Sequence, residues 1–463
     1  MTKGHFLVAA PHKSSGKTTL TLGICGALAA RGRRVQPFKK GPDFIDPMWL
    51  GAASGRLCYN LDLHLMQTDE IRRLFVAHTT DADMAVIEGN MGLFDSLDVE
   101  GTQSNAALAA LLGSPVVLVV DVRGMTRSVV PLLLGFQQFD PSIRIAGVIL
   151  NKVAGVRHEA RLREAVAHYT DLPVLGMVHR DPRLAIDERH LGLIPSNEEA
   201  KVRTILRDVT AAVTDHIDLD ALEQLAATAA PMVRVQASPV TIAGGAPVRI
   251  GIARDRAFGF YYPDDLEALR AAGATLVPFD ALHDRQLPAV DGVFIGGGFP
   301  ETQMDALAAN TAMRQSIRAA IEHGLPVYAE CGGLMYLTRS IAWQGRRMDM
   351  VGVIPADTVM TPKPVGRGYT RLKPTGAAPW APCPAGVAFD AHEFHYSHLE
   401  NLSAGLTFAY EVERGAGIDG RHDGIVYKHL LANYAHLRHL DGSPWAGAFV
   451  DFVRRVRGLS NTA

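Results

Sequence analysis

The sequence has few cysteines and no long apolar run. Its 463 residues include only four cysteines, and no two of them form a Cys-x-x-Cys pair. This excludes a zinc ribbon and a disulfide scaffold, and the small cysteine count fits a reducing compartment. No stretch of roughly 18 apolar residues occurs, and residues 1–10 lack the apolar core of a signal peptide. We therefore expect a cytoplasmic protein without a membrane partner.

The chain also lacks an excess of either charge. Lys and Arg number 46, and Asp and Glu number 48, which gives a formal net charge of −2. A nucleic-acid-binding protein normally carries a marked basic excess, so we expect no nucleic-acid partner. No internal repeat or low-complexity segment is present. At roughly 150 residues per domain, the length corresponds to two or three domains.

Short apolar runs alternate with helix-length segments in both halves of the chain. The runs predicted as strands are 5–10, 84–88, 115–121, 145–150, 248–253, 275–279, 292–296 and 326–330. The segments predicted as helices are 18–31, 221–230, 266–272 and 304–323. Apolar strands separated by helices predict an α/β fold with parallel sheets covered on both faces. A segment with Ser, Pro and Gly, residues 233–246, predicts a linker between two domains, 1–232 and 247–455, with a tail at 456–463.

A phosphate-binding loop is predicted between the first strand and the first helix, from Ala10 to Thr19. The standard P-loop begins with Gly, where this chain has Ala10, and the rest of the pattern is intact. Gly16 lets backbone N–H groups face phosphate oxygens, Lys17 can reach the β- and γ-phosphates, and the Thr18 hydroxyl can bind Mg²⁺. The candidate ATP-binding residues are Ser14, Ser15, Gly16, Lys17, Thr18, Thr19 and Asn151. The last of these ends a predicted strand, where it either reads the nucleotide base or serves as a turn or cap residue.

Acidic residues stand in two segments expected near this loop. Asp43 and Asp46 lie in the sequence GPDFIDP, and Glu88 ends a predicted strand and opens EGNMGLFD, which runs to Asp95. In open α/β sheets ligands bind at the carboxyl ends of strands, and Mg²⁺ prefers oxygen ligands. Asp43 and Glu88 therefore join Thr18 as candidate metal ligands. A single Asp in a Gly- and Pro-containing segment is more often a turn residue, but two such segments beside a phosphate loop favour the site.

Cys331 follows a predicted strand and precedes two glycines and a helix, the arrangement of a nucleophile elbow. A helix N-terminus favours the thiolate. The backbone N–H groups of Gly297, Gly298 and Gly332 are candidates for an oxyanion hole. A lone cysteine is more often a small core residue, but the elbow and the glycine-rich loop together favour a nucleophile. Such a nucleophile needs a base, and residue spacing does not choose among His392, His395, His398, His422, His429, His436 and His439.

Taken together, these motifs resemble the cobyrinic acid a,c-diamide synthase family along nearly the whole chain. The segments that carry the resemblance are, in order, the phosphate loop, GPDFIDP (41–47), NLD (60–62), EGNMGLFD (88–95), RHLGL (189–193), GGGFPE (296–301), the Cys331 elbow, HEFHYS (392–397) and NYAH (433–436). The resemblance implies an N-terminal P-loop domain of the dethiobiotin-synthetase type. It also implies a C-terminal class I glutamine amidotransferase domain.

The resemblance further implies an ATP- and Mg²⁺-dependent ligase that amidates the a and c acetate groups of a tetrapyrrole polycarboxylate. A carboxylate would be activated as an acyl phosphate, and glutamine hydrolysis would supply the ammonia. By the same resemblance Cys331 is the nucleophile and His436 its base, while Asp46 and Asp95 orient the substrate or the acyl phosphate. The expected partners are these small molecules, with a homodimer as the one protein assembly considered.

The chain departs from the family pattern at three places. Lys13 stands in the phosphate loop, where small residues are common in the family. Trp49 or Leu50 replaces a His of corrin-modifying members, so relatives that amidate sirohydrochlorin or sirohaem are an alternative. Arg438 replaces the Glu that completes a triad in many class I amidotransferases, so His436 needs another orienting group or acts in a dyad. Further alternatives are amidation of the cobyric acid synthase type and, from another class, a P-loop ATPase switch of the chromosome-partitioning type.

Overall fold

The computed structural model describes residues 4–184, 186, 188–189, 192–197, 202–231, 245–383 and 386–459. The chain divides into two compact units, Met1–Ala237 and Ser238–Ala463. The predicted linker at 233–246 lies outside the described residues except for its last two, and the predicted tail at 456–463 except for its first four. In the part of the chain that is described, no helix is long and apolar enough to cross a membrane.

The first unit is built on a seven-stranded parallel sheet. Its elements are, in chain order, β1 (His5–Ala9), α1 (Lys17–Ala30), β2 (Val35–Lys40), α2 (Ile45–Ser54), β3 (Tyr59–Leu61), α3 (Thr68–Thr79), β4 (Met84–Glu88), α4 (Asn105–Leu112), β5 (Val116–Asp121), α5 (Val129–Phe139), β6 (Ile145–Val153), α6 (Val156–Tyr169), β7 (Val174–His179), β8 (Glu188–Arg189), β9 (Gly192–Leu193), α7 (Val202–His216) and α8 (Leu219–Ala226). The strand order is β3-β2-β4-β1-β5-β6-β7, and every pairing is parallel.

The strand order places the predicted phosphate loop at the centre of this sheet. From β1 the chain first builds strands on one side and then, from β5 onwards, on the other. Ligands bind at such a reversal point, outside the carboxyl ends of the strands. All residues of β1, β4 and β5 are buried, which explains their nearly continuous apolar sequences.

The second unit combines a large mixed sheet with a smaller one. Its elements are β10 (Val248–Ala253), β11 (Phe258–Phe260), α9 (Pro263–Ala271), β12 (Ala274–Phe279), β13 (Gly292–Ile295), β14 (Gly297–Gly298), α10 (Met304–Ala309), α11 (Thr311–Glu322), β15 (Val327–Glu330), α12 (Gly332–Leu337), β16 (Thr338–Trp343), β17 (Arg346–Asp349), β18 (Ile354–Met360), β19 (Gly366–Pro374), β20 (Phe389–His395), β21 (Ser397–Glu400), β22 (Thr407–Arg414), β23 (His422–Tyr427), β24 (Leu430–Asn433) and α13 (Trp445–Val456).

The large sheet of the second unit is parallel in one half and antiparallel in the other. Its order is β12-β10-β13-β15-β24-β23-β22-β19-β20. The strands from β12 to β24 pair in parallel, and those from β24 to β20 pair antiparallel. A second sheet has the order β17-β16-β18-β21. The parallel half contains all four strands predicted for this unit, and β15, which lies between β13 and β24, leads directly to Cys331.

One predicted helix of the second unit is wrong as a single element. The segment 304–323 forms two helices, α10 and α11, which are separated at Asn310. The Asn310 side chain accepts a hydrogen bond from the Met313 N–H at 3.3 Å and so caps α11. Apolar periodicity continues through this position, but an asparagine that caps a helix starts a new one.

Candidate functional site

The phosphate loop joins β1 to α1 and is held from below by Asn151 at the end of β6. The Asn151 side-chain amide donates to the Ser15 carbonyl at 2.9 Å, and its oxygen accepts from the Lys152 N–H at 2.9 Å. Gly16 has φ +87°, and a Cβ atom there would lie 2.2 Å from the Asn151 amide nitrogen. Asn151 thus supports the loop backbone, and its role in reading a base stays a prediction.

Lys17 and Thr18 of the loop lie at the carboxyl ends of the strands. Lys17 is buried, and its ammonium donates to the Met91 carbonyl at 3.3 Å. Burial, with a contribution from Lys39, lowers the pKa of Lys17. The Thr18 hydroxyl donates to Glu88 at 2.5 Å.

The remaining loop residues are more open. Ser14 has φ +63° and is exposed, as is Lys13, while Thr19 is half-buried. The buried Ser15 donates its hydroxyl proton to the His12 carbonyl at 2.9 Å. The position of Lys13 therefore leaves the buried part of the loop undisturbed.

Lys39, at the end of β2, is a site residue that the sequence did not predict. Its ammonium lies 2.5 Å from Asp46, 3.0 Å from Glu88 and 3.7 Å from Asp43, and the side chain is 2% exposed. Three candidate acidic residues therefore converge on one buried cation. The pairing of β2 with β4 sets Lys39 opposite Glu88 and so brings the segments together.

The four charges, of which Lys39 and Glu88 are buried and the two aspartates half-buried, shift one another's protonation. Burial lowers the pKa of Lys39, but Asp46, Glu88 and Asp43 outweigh it and raise that pKa well above its usual value. Burial, followed by the charge of Asp46, raises the pKa of Asp43 to about 7. Burial raises the pKa of Glu88, whereas Lys39 outweighs burial at Asp46 and lowers the pKa of that carboxyl.

The residues at this cluster fit a Mg²⁺ ion bound together with nucleotide phosphates. Among the described residues, no set of three or more His, Cys, Asp or Glu side chains is arranged to hold a metal alone. Magnesium is usually bound by one or two carboxylates together with substrate phosphates and water, so such a set is not required. One oxygen of Glu88, Oε2, is buried without a hydrogen-bond partner, and the Thr18 hydroxyl lies beside the other. A buried, unpartnered carboxylate oxygen of this kind is a suitable ligand.

The loop from Glu88 to Asp95 is fixed by Asn105, the first residue of α4. The buried Asn105 side chain accepts from the Asn90 N–H at 2.9 Å and donates to the carbonyls of Asn90 and Gly92, both at 2.6 Å. Asp95 is exposed and accepts from the Gly92 N–H at 2.8 Å. The structure therefore places Asp95 on the same loop as Glu88 but away from the carboxylates that surround Lys39.

Two further motifs of the resemblance have supporting contacts. Asn60 donates to the carbonyls of Gly41 and Asp43, both at 2.8 Å, and so holds the acidic loop. Trp49 is completely buried, and its indole N–H donates to the Ile194 carbonyl at 2.8 Å. A side chain in this position packs in the interior of the unit. In RHLGL, residues 190 and 191 lie outside the described part.

In the second unit, adjacent strands β15 and β24 bring the predicted thiol and base together. The two strands pair in parallel with Glu330 opposite Asn433, and the Cys331 N–H donates to the Asn433 carbonyl at 2.8 Å. His436 follows β24 by three residues. Cys331 and His436 therefore leave the same edge of the sheet side by side.

The elbow at Cys331 has the strained backbone that its sequence predicts. Cys331 has φ +46° at the N-terminus of α12, and the residue is 6% exposed. A Cβ on Gly332 would lie 3.0 Å from the Gly298 nitrogen, and one on Gly297 would lie 2.6 Å from Cε1 of His436. Of the three glycines predicted for the oxyanion hole, Gly297 thus lies beside the imidazole, and Gly298 lies beside Gly332, which directly follows the thiol.

His436 lies between two groups that stabilise its protonated form. Its Nδ1 is 3.3 Å from a carboxylate oxygen of Glu330, and the ring hydrogen-bonds to Cys331. Burial lowers the pKa of His436, but the bonds to Cys331 and Glu330 outweigh it and raise the pKa to about 10. Both contacts therefore favour the protonated imidazole ring.

The other candidate histidines take different positions. His392 exchanges backbone hydrogen bonds with His436, and burial and the charge of His436 lower its pKa to about 3. His395 stacks on Tyr434 with ring centroids 3.9 Å apart, and its Nδ1 pairs with the Ser397 carbonyl. The other candidates, from His398 onwards, are exposed or half-buried. Geometry therefore favours His436, which spacing alone did not distinguish.

The three remaining cysteines are buried thiols with no disulfide bond. Burial raises the pKa of Cys25, Cys58 and Cys383 above its usual range. Such thiols are poor nucleophiles. Of the four cysteines, Cys331 alone has φ in the left-handed region.

Comparison with protein families assigns a class to each unit. Residues 6–194 match the CobQ/CobB/MinD/ParA nucleotide binding domain, and residues 249–444 match the CobB/CobQ-like glutamine amidotransferase domain. The protein is therefore an enzyme that carries a P-loop nucleotide-binding domain and a glutamine amidotransferase domain in one chain. The predicted α/β fold class is confirmed for both domains.

Full-length relatives narrow this class. The chain is 49% identical to cobyrinate a,c-diamide synthase of Magnetococcus marinus, with 97% of each chain covered. It is 41% identical to the enzyme of that name from Syntrophotalea carbinolica, covering 97% of this chain and 98% of the relative. For the Methanosarcina acetivorans enzyme the identity is 39%, over 97% and 95%. The chain belongs to the cobyrinate a,c-diamide synthase family, as the sequence motifs predicted, and is a ligase of the glutamine amidotransferase type.

Proposed function

We propose that the protein amidates the a and c acetate carboxylates of cobyrinate, using ATP and ammonia released from glutamine. The observation that carries this proposal is the presence in one chain of a carboxylate and lysine cluster beside a phosphate loop and of a thiol–imidazole pair beside three glycines. The names of the full-length relatives support the choice of substrate.

In the first unit the proposed step is carboxylate activation. A substrate carboxylate oxygen attacks the γ-phosphorus of ATP, the bond to the bridging oxygen breaks, and ADP leaves an acyl phosphate behind. Lys17 and the loop N–H groups hold the phosphates, with Ser14, Ser15 and Thr19 alongside. Thr18, Asp43 and Glu88 would hold Mg²⁺, which when bound offsets phosphate charge. Asp46 keeps Lys39 in place, and the exposed Asp95 is available to orient the substrate.

In the second unit the proposed step is glutamine hydrolysis. The Cys331 thiolate attacks the side-chain amide carbon of glutamine, and the N–H groups of Gly297, Gly298 and Gly332 stabilise the resulting oxyanion. The C–N bond then breaks, and the His436 imidazolium gives its proton to the departing ammonia. Water cleaves the thioester to give glutamate. The ammonia attacks the acyl phosphate carbon, phosphate departs, and the nitrogen loses a proton to form the amide.

The choice of macrocycle is tested with a substrate panel. The protein is incubated with ATP, Mg²⁺, glutamine and, separately, cobyrinic acid, hydrogenobyrinic acid, sirohydrochlorin and sirohaem, and the products are read by mass spectrometry. We expect two successive mass decreases on cobyrinic acid, each equal to the difference between a hydroxyl and an amino group. Amidation of sirohydrochlorin or sirohaem in preference to it would overturn the proposal, and mapping of amides to other side chains would favour the cobyric acid synthase type.

Trp49 or Leu50, in place of a His of corrin-modifying members, makes a sirohydrochlorin-type substrate an alternative. Because the Trp49 side chain is fully buried and hydrogen-bonded within its own unit, it offers no surface to a macrocycle. Leu50, the other residue at this position, is also fully buried. Neither residue therefore favours sirohydrochlorin over cobyrinate, and the names of the relatives make cobyrinate the first substrate to test.

A further inference from the structure

Arg438 stands where many class I amidotransferases carry the glutamate that orients the catalytic histidine. Here its guanidinium pairs with Asp264 at 2.9 Å and lies over the Tyr262 ring, 4.9 Å from the centroid. Arginine has no acceptor atom, so it cannot accept a hydrogen bond from a ring N–H of His436. The orienting group must therefore come from another part of the fold.

We propose that Glu330, the residue directly before the nucleophile, is the positioning residue that orients His436 for glutamine hydrolysis. This inference rests on the roles proposed above for Cys331 and His436. It assigns the third member of a Cys-His-Glu triad to the nucleophile strand rather than to the segment that follows the histidine.

The geometry of Glu330 fits this role at both carboxylate oxygens. One oxygen, Oε2, lies 3.3 Å from Nδ1 of His436. The other, Oε1, accepts from the Leu437 N–H at 2.9 Å and from the Tyr328 hydroxyl. The side chain is 4% exposed, so water does not compete for these bonds. One carboxylate thus fixes both the His436 ring and the backbone that follows it.

The contact also determines which ring nitrogen faces the thiol. When Nδ1 donates its proton to Glu330, the other nitrogen, Nε2, is left for Cys331 as acceptor or, once protonated, as donor. The ionisable groups that face the ring are Glu330 from β15, Cys331 directly before α12 and His392 from β20. Glu330 and Cys331, when negatively charged, favour the protonated ring of His436, whereas a positive charge on His392 would oppose it. Removing the Glu330 charge should therefore make His436 a weaker acid–base partner.

The test is the substitution Glu330→Gln in the full chain, assayed for glutamine hydrolysis. The glutamine amide would donate to Nδ1 and place the ring proton on Nε2, the wrong tautomer for accepting the thiol proton. By analogy with triads that hold the wrong tautomer, we expect kcat to fall by at least about 100-fold with little change in KM for glutamine. Glu330→Asp, which keeps the charge, should retain an intermediate kcat. If Glu330→Gln keeps its thermal midpoint and a kcat within about twofold of the parent, the proposal is wrong.

Glu393→Gln is the matched control. Glu393 is a buried glutamate of the same unit that accepts two backbone N–H bonds, from Ala416 at 2.6 Å and Gly417 at 3.0 Å. Like Glu330, it holds neighbouring backbone with its carboxylate. We expect this substitution to leave kcat near that of the parent. An equal loss in both variants would mean that any buried amide disturbs the unit, and would overturn the specific role of Glu330.

The pH profile separates positioning from a merely structural role. With the His436 pKa raised to about 10, the imidazolium that protonates departing ammonia persists until the pH approaches that value. The alkaline limb of kcat/KM, which reports groups of the free enzyme, should therefore lie near pH 10 in the parent and move to lower pH in Glu330→Gln. An unmoved limb would contradict the proposal. These assays need only glutamine, so their outcome is independent of whether cobyrinate is the amidated substrate.

Discussion

At the scale of a single residue, the phosphate loop requires glycine at position 16. In Gly16→Ala the backbone would have to keep φ +87°, which alanine rarely adopts. The new Cβ would also lie 2.2 Å from the Asn151 amide that supports the loop. We expect nucleotide affinity to fall by at least about 10-fold, because the loop must move away from its phosphate-binding geometry. Isothermal titration with ADP and Mg²⁺ measures the change.

Gly32→Ala is the control for backbone strain alone. Gly32 has φ +79°, nearly that of Gly16, but a Cβ there would meet no atom within 4 Å. We expect this variant to lose about 1 kcal/mol of stability and to bind ADP like the parent. If both variants lose nucleotide affinity equally, the contact with Asn151 is not what constrains the loop.

Lys39 is the residue that holds three carboxylates together in the first unit. Lys39→Met would leave Asp43, Asp46 and the buried Glu88 close together without their cation. Removing one partner of a buried ion pair typically costs about 3–5 kcal/mol, so we expect a clear fall in the thermal midpoint of unfolding.

Mg²⁺ should restore part of the stability lost in Lys39→Met, because a divalent cation can take over the neutralising role. Differential scanning calorimetry with and without Mg²⁺ and ADP tests this. The substitution Lys13→Met, at an exposed lysine of the same unit, should change stability by less than about 0.5 kcal/mol. A midpoint unchanged in Lys39→Met would mean that the carboxylates are held by other contacts.

At the scale of an element, the loop from Glu88 to Asp95 depends on the start of α4. In Asn105→Ala the loop would lose three hydrogen bonds, including the two that hold the Asn90 and Gly92 carbonyls. Small displacements of reacting groups cost up to about 100-fold in rate, so we expect a 10- to 100-fold loss of ATP-dependent amidation with ammonium as nitrogen donor. Glutamine hydrolysis, carried by the second unit, should be unchanged.

Ser104→Ala provides the comparison at the same helix end. The Ser104 hydroxyl caps α4 by accepting from the Ala107 N–H at 3.0 Å, a contact within the helix rather than with the loop. Its loss should cost about 1 kcal/mol of stability, with little effect on amidation. If Ser104→Ala reduces amidation as much as Asn105→Ala does, helix stability rather than loop position controls the rate.

The central elements were predictable from sequence because burial on both faces makes their strands apolar. Strands β4 and β10 match their predicted bounds, and β1 and β5 differ by one residue. Strand β2 was missed because its sequence, VQPFKK, carries two lysines and a proline. Strands β16 to β23 were missed because none of them is buried along its whole length, so each lacks a continuous apolar run.

The candidate site was predictable where chemistry demands a residue type in a local pattern. Gly16, Lys17 and Cys331 stand in such patterns between a strand and a helix. Lys39 and Glu330 were missed because a charged residue at the end of a strand has no local signature. Their roles depend on strand pairing: β2 lies beside β4, and β15 lies beside β24. Pairing between strands distant in sequence is what residue patterns do not contain.

At the scale of the whole molecule, the two units hold complementary reagents. In the proposed function the first unit binds ATP and activates a carboxylate, and the second releases ammonia from glutamine. Ammonia is mostly protonated near neutral pH and then is no nucleophile, which favours its production within the enzyme that consumes it. The near-neutral net charge also implies that anionic substrates bind through local groups such as Lys17, not through the overall field.

This division predicts that one substitution removes one nitrogen source and spares the other. Cys331→Ser should abolish amidation with glutamine, because serine at this elbow lacks a thiolate that His436 can stabilise. Amidation with a high concentration of ammonium chloride should continue near the parental rate, since the carboxylate cluster and the phosphate loop lie in the other unit. Both rates are measured on the same substrate by mass spectrometry. Loss of the ammonium-dependent rate in a folded Cys331→Ser variant would contradict the view that the two units carry out their steps independently. Full retention of the glutamine-dependent rate would mean that the thiol takes no part in the reaction, and would favour an ATPase switch.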